Sequence, residues 1–255
     1  MTFSINNLDV FLAVLVRISA FILVAPFFNL KNVPVKVKAG FSFFLSYILF
    51  NMNLDSAINY QGTIGYASIL VSEALVGVII GFFTNISYYI ITFAGRFMDM
   101  EIGFSMVNEF DPITSIQTTI TSNYYSYLVM LMMLVTNLHH YIILALSDTF
   151  KIIPVGGANI KSNIYLLMLD FMRDYFVIGF RIVLPVFAAF LIVSTILAIL
   201  AKIAPQMNMF VIGLQLKVFV GLIVLMLLTT FVYVVSEYIF DEMIYMMKRA
   251  IEALS

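Results

Sequence analysis

Long apolar runs separated by short connectors constrain this chain more than any other feature. They cover residues 8–28, 39–52, 66–93, 124–146, 175–201 and 209–235. Most reach the ~20 residues that carry a helix across a hydrocarbon layer of ~30 Å. The runs are continuous and lack the dyad alternation of a membrane barrel, so an all-α fold with about six apolar helices is expected. The second run is short and fits half of a helical hairpin. In residues 237–254, Ile239, Met243, Met246, Met247 and Ala250 stand at helical spacing with charges between them. That pattern predicts a C-terminal amphipathic helix. With no internal repeat, low-complexity linker or second domain in view, residues 1–255 read as one domain.

Composition narrows the functions open to such a chain. Hydrophobic residues make up 63% of its 255 residues and charged ones 11%, against about half and a quarter in soluble domains. Lipid or a large partner surface has to cover the excess. A net charge of −1 supplies no basic field for nucleic acid. The absence of cysteine removes disulfides, thiolate chemistry and Cys-based metal sites. The first basic residue is Arg17, so no charged segment precedes the first run and a cleaved signal peptide is not expected. Alternate connectors place Lys31, Lys36, Lys38, Arg96 and Lys202 on one side and Lys151, Lys161, Arg173, Lys248 and Arg249 on the other. The positive-inside rule therefore returns a tie, and the helices are not expected to be simple lipid-facing spans.

Four ionisable residues, Arg17, Glu73, Arg181 and Lys217, fall inside the runs. Each costs ~3 kcal/mol or more near a bilayer centre. Lys217 and Arg181 suit snorkelling to the membrane surface, whereas Arg17 and Glu73 suit burial against opposite charge. Three bases face one acid, so carboxylates of neighbouring subunits are expected at Arg17 and Arg181. An alternative makes Glu73 the ion or proton carrier of a small-solute secondary transporter, but the internal repeat usual in such proteins is missing. A pore-free membrane scaffold is a third reading. Gly77 and Gly81, in "GVIIG", permit close helix approach, or occur there by chance.

No enzyme, cofactor or metal site is expected. His139 and His140 are adjacent, and neighbours on a helix point apart. Gly156–Gly157 lacks the lysine of a phosphate loop. Asp99, Glu101, Glu109 and Asp111 lack calcium-ligand spacing. Most of the 16 methionines read as gap fillers. Met98, Met100 and Met106, with Met207 and Met209, lie outside the expected helices and suit a deformable lining. The connector 94–123 is long and too apolar for water. Gly95 and Gly103 grant it unusual backbone angles, and Asp111–Pro112 marks a turn or helix stop.

Five blocks in order resemble the FliR family, export-gate proteins of bacterial flagellar type III secretion related to the SctT proteins of injectisomes. They are "VRISAFILVAPFFNLKNVPVKVKAG", "SEALVGVIIGF", "AGRFMDMEIGFSMVNEFDP", "NLHHYIILALSDTFKIIPVGG" and "PQMNMFVIGLQLK". Leu138 stands where the family often has glycine. The "AGRFMDMEIGF" and "FDP" elements look closer to the flagellar branch. The resemblance implies a channel subunit in the bacterial inner membrane and flagellar basal body. It implies FliP-like, FliQ-like and FlhB-like partners, contact with lipid, and passage of unfolded export substrates. The assembled complex is expected largely above the membrane plane. The resemblance also implies that Gly103, Phe104, Met106, Phe110, Asp111 and Pro112 plug the closed channel; the bland alternative is a loop that packs beneath neighbouring helices. Subunit contacts are expected at Arg17, Glu73, Arg181, Pro205, Gln206, Met207, Asn208 and Phe210.

Overall fold

The computed structural model describes residues 5–30, 33–52, 58, 60–104, 109–110, 117–159, 164–206 and 208–255. Among the described residues the helices are α1 (Ile5–Val24), α2 (Val35–Asn51), α3 (Gly62–Ile102), α4 (Ile120–Val135), α5 (Leu138–Ile152), α6 (Ile164–Ile203), α7 (Met209–Thr229) and α8 (Val232–Leu254). A two-residue antiparallel pair, β1 (Glu109–Phe110) and β2 (Gln117–Thr118), sets Glu109 opposite Thr118 and Phe110 opposite Gln117. The all-α expectation holds. Helices α3, α6 and the segment 210–229 of α7 are long and apolar enough to cross a membrane; α4 and α5 would add one more if they served as a single span.

Helix boundaries differ from the apolar runs for identifiable reasons. The first part of the 94–123 connector is not loop. Ala94, Gly95, Met98, Asp99 and Ile102 are buried while Arg96 and Met100 are exposed, so an amphipathic stretch continues α3. Met98 and Met100 thus belong to α3 and Met209 opens α7, which corrects their expected place outside the helices, while Met106 and Met207 lie outside the described residues. Gly103 ends α3 with φ 96°, its N–H donating to Asp99 O at 3.0 Å, a conformation that glycine adopts without Cβ strain. The 124–146 run is interrupted before α5, where Asn137 takes φ 56°, a left-handed angle that Asn tolerates better than most residues. The 209–235 run is interrupted at Thr230–Phe231. There Thr229 Oγ1 donates to Leu225 O and Thr230 Oγ1 to Leu227 O, side-chain bonds that compete with continued helix.

The chain forms two compact units. Unit 1 comprises Met1–Tyr88, Thr136–Phe171 and Phe240–Ser255. Here α1 and α2 form the expected hairpin, with Phe11 edge-on to Phe43 and Phe50. A Cβ on Gly77 would overlap Arg17 O, and one on Gly81 would lie 3.1 Å from Phe21 O. The close-approach reading of the two glycines is therefore the correct one. Phe240, Met243, Met246, Met247, Ala250, Ile251 and Leu254 are buried, which gives the C-terminal helix its expected apolar face. Its polar side carries Arg249, which donates to Asp170 at 3.0 Å. That hydrogen bond holds the guanidinium above its usual pKa. Unit 2 comprises Tyr89–Val135 and Met172–Ile239. Gly95 lies so close to Ser122 that a Cβ would meet its backbone, and Gly221 sits against Ile102 and Phe190. Phe93 packs against Tyr175, Phe176 and Phe180.

Candidate functional site

Three places collect the residues singled out by the sequence. The first lies in unit 1. Arg17 on α1 and Glu73 on α3 are both 0% exposed. Arg17 Nε donates to Glu73 Oε2 at 2.5 Å and Nη2 to Oε1 at 3.0 Å, a bidentate pair. Nη1 donates to Ile153 O at 2.9 Å, and the Phe150 ring centroid is 4.3 Å from Cζ. On the acid side, Gly156 N–H donates to Glu73 Oε1 at 2.9 Å. Gly156 holds φ 78°, and Gly157 N–H closes the turn onto Pro154 O. The charges thus fasten the Pro-Val-Gly-Gly turn to α1 and α3. The neighbouring subunit's carboxylate expected at Arg17 is corrected to Glu73 of the same chain. Contact at Gly77 brings α1 near enough to α3 for the pair to form, and the enclosed atoms leave no surface for a partner.

The second place is the foot of the connector 103–119, in unit 2. Asp99, fully buried, accepts from Thr121 N at 3.1 and 3.3 Å and from Thr121 Oγ1 at 2.5 Å. A carboxylate from α3 thereby serves one otherwise unpaired N–H, that of Thr121, in the first turn of α4, where the helix dipole also favours negative charge. Both feet of the connector are tied at one point. Gly103, with its positive φ, lies beside it, and Phe104 is half-buried. Phe110 pairs through its backbone with Gln117. Met106, Asp111 and Pro112 lie outside the described residues, as does the side chain of Phe110. Gly95 supplies no unusual angle; its role is the close approach to Ser122.

The third place is the connector between α6 and α7, also in unit 2. Helix α6 continues through Pro185 but ends at Ile203, just before Pro205, which lacks an N–H and disfavours helical angles at the residue before it. Asn208 Oδ1 accepts from Phe210 N at 3.2 Å and caps α7. That bond occupies the side-chain oxygen of Asn208 within the chain and leaves its Nδ2 donors for the subunit contact expected there. Pro205 and Gln206 are exposed, and Phe210 is 72% exposed. Met207 lies outside the described residues. Arg181 is exposed on α6, beside a cleft of about 590 Å³, and no carboxylate among the described residues pairs with it.

The sequence did not single out Asp99 as an anchor or Phe150 and Ile153 as parts of the charge cluster. Asp99 sits among other acids in a stretch that reads as a connector, and its partner is 22 residues away. A serine- or threonine-rich helix start at Thr119–Ser122 was the only local hint. No group of His, Asp and Glu among the described residues is arranged to hold a metal ion.

Residues 8–243 match the model of the bacterial export proteins, family 1. The chain is 32% identical over 249 residues to the flagellar biosynthetic protein FliR of Bacillus subtilis (strain 168), which covers 96% of this chain and 95% of that protein. It is 31% identical over 229 residues to the protein of that name from Buchnera aphidicola of Schizaphis graminum, covering 88% of each. Identity to the FliR protein of Escherichia coli (strain K12) is 26% over 242 residues, 94% of this chain and 92% of the relative.

Proposed function

This chain belongs to the FliR family of bacterial export proteins, and from that premise we infer that it is a membrane-embedded component of a flagellar protein export apparatus. Its full-length kinship with proteins of flagellar biosynthesis is the observation that carries this reading. We take its role in the apparatus to be that of a channel subunit. It assembles in the inner membrane at the flagellar basal body with FliP-like and FliQ-like subunits, beside a FlhB-like one, and passes unfolded flagellar substrates. The work is mechanical and electrostatic, with no bond made or broken. The apolar connector 103–119, tied at its foot by Asp99 and Thr121, is suited to close a channel with soft side chains and to yield to a passing chain. Exposed Phe210, with Pro205 and Gln206, suits contact with a neighbouring subunit.

The secondary-transporter reading loses its motive. A carrier carboxylate has to release its ion, and both Glu73 oxygens are held by Arg17 while Gly156 adds a backbone N–H. Deletion of the gene in its own host tests the proposal. Flagellar substrates should disappear from the medium and return when the intact gene is restored, and tagged protein should retain FliP-like and FliQ-like subunits. Undiminished export by the deletion strain would overturn the reading.

A further inference from the structure

Helix α2, in unit 1, is built inside out. The side it buries carries Lys38, Ser42 and Ser46, with Leu45 and Leu49. The serines bond to their own helix, Ser42 Oγ donating to Lys38 O at 2.8 Å and Ser46 Oγ to Ser42 O at 2.6 Å. The outer side shows Val37, Phe41, Phe44 and Ile48, all exposed. Their spacing of four, three and four residues draws one straight apolar stripe along the helix.

Lys38 adds a charge without a counter-charge. It is 8% exposed, and among the described residues its ammonium makes one hydrogen bond, to Asn29 Oδ1 at 2.9 Å. Two N–H donors are left over. Residues 10–54 hold four bases, Arg17, Lys31, Lys36 and Lys38, and no acid. Glu73 neutralises Arg17, but no carboxylate among the described residues pairs with Lys38. A charge this far removed from water is costly until an opposite charge reaches it. Asn29 is exposed, so the ammonium it holds stands at the rim of the α1–α2 turn, within reach of an acceptor from outside.

Three features decide what supplies that acceptor. The stripe on α2 has the spacing that interlocks with one helix laid along it. A base that serves lipid phosphates extends a free stem to them, whereas the stem of Lys38 is packed and its head is fixed on Asn29; the 17 residues of α2 also reach only about 26 Å, short of a hydrocarbon layer of about 30 Å. A second copy docking through the same face would bring no carboxylate, because its residues 10–54 have none.

We propose that α2 docks one helix of a different subunit, whose Asp or Glu pairs with Lys38 while its apolar side lies along Val37, Phe41, Phe44 and Ile48. This rests on the reading of the chain as a member of an assembly and names one surface through which it joins.

Carbodiimide coupling of the purified apparatus tests it, because the reagent joins a lysine amine to a carboxylate in contact with it. Peptide mass spectrometry should find Lys38 joined to an Asp or Glu of another subunit. Lys38→Arg, which keeps the charge, should retain the neighbouring subunits and lose that crosslink. Lys38→Met should weaken their retention about thirtyfold, the loss typical of breaking a buried interfacial charge pair. The unassembled Lys38→Met chain should nevertheless unfold in detergent at the same or a higher temperature, since a buried charge without a partner has been removed. A photo-crosslinker at Phe44 should capture polypeptide. Lys38 left uncoupled while other lysines couple across subunits, lipid as the sole adduct at Phe44, or normal assembly of Lys38→Met overturns the proposal. So does a Lys38→Met chain that is itself destabilised, which would make the lysine an internal support. Wild-type protein that retains no other subunit would overturn the assembly reading, and this surface with it.

Discussion

Arg17 and Glu73 carry opposite formal charges with no exposed surface on either. Desolvating two such ions is offset only when geometry and added hydrogen bonds are good, and here the bidentate contact, Ile153 O and Gly156 N–H supply them. Removing one partner is therefore worse than removing both. Glu73→Gln should cost about 3–5 kcal/mol of stability by leaving the guanidinium uncompensated. The double replacement Arg17→Met, Glu73→Leu should recover most of that loss. Denaturant titration of the purified variants in detergent checks both, and equal damage from the single and double changes would speak against a coupled pair. Asp99 is a smaller case of the same kind. Asp99→Ala should cost about 1–2 kcal/mol through the loss of a helix-capping acceptor. It should also speed proteolysis within 103–119, and Asp99→Asn, which keeps one acceptor oxygen, should do less of each. The sequence showed Arg17 and Glu73 as the charges least suited to lipid. It could not show that they meet, since 56 residues separate them and pairing depends on how α1 lies on α3. Asp99 was harder to find, because its burial follows from the unexpected length of α3.

At the scale of elements, close helix contacts rest on missing side chains. A Cβ at Gly77 would strike a backbone oxygen, which cannot rotate aside, whereas at Gly81 it would meet Phe21 O and Val24 Cβ at 3.1 Å. Gly77→Ala should therefore destabilise more than Gly81→Ala, within the roughly 1–3 kcal/mol typical of overpacking. It should also weaken the Arg17–Glu73 pair, because the same two helices would move apart. Comparing the two alanine variants by thermal unfolding in detergent checks the order; a milder effect at Gly77 would mean that α1 and α3 can separate without loss. Apolar periodicity located every one of the apolar helices and the amphipathic α8. It missed the breaks before α5 and between α7 and α8, because one or two residues with local side-chain bonds or a left-handed angle do not alter the composition of a long run. It also missed the nine residues of α3 beyond Phe93, where exposed Arg96 and Met100 alternate with a face that buries Ala94, Gly95, Met98, Asp99 and Ile102.

At the scale of the molecule, family membership was legible because five blocks along the chain agree in order, which no single block could establish. The division into two units was not legible. Each unit is assembled from separate stretches of chain, so no linker or shift of composition marks it. The proposed channel role assigns the seal to the connector 103–119, whose two feet are joined by Asp99 and Thr121. Replacing Phe104, Met106 and Phe110 together with alanine should raise ion conductance of membranes that contain the assembled apparatus, while export persists. Unchanged conductance would make the connector a packing element.

The central claim is that an export substrate passes along this subunit, and a crosslink between the two tests it most directly. With a photo-crosslinker at Phe104 and a substrate stalled in transit by a folded tag, the account predicts an adduct between this chain and the substrate, formed only in the assembled apparatus. Adducts confined to neighbouring subunits, in an apparatus shown to be assembled and to hold the stalled substrate, would contradict it.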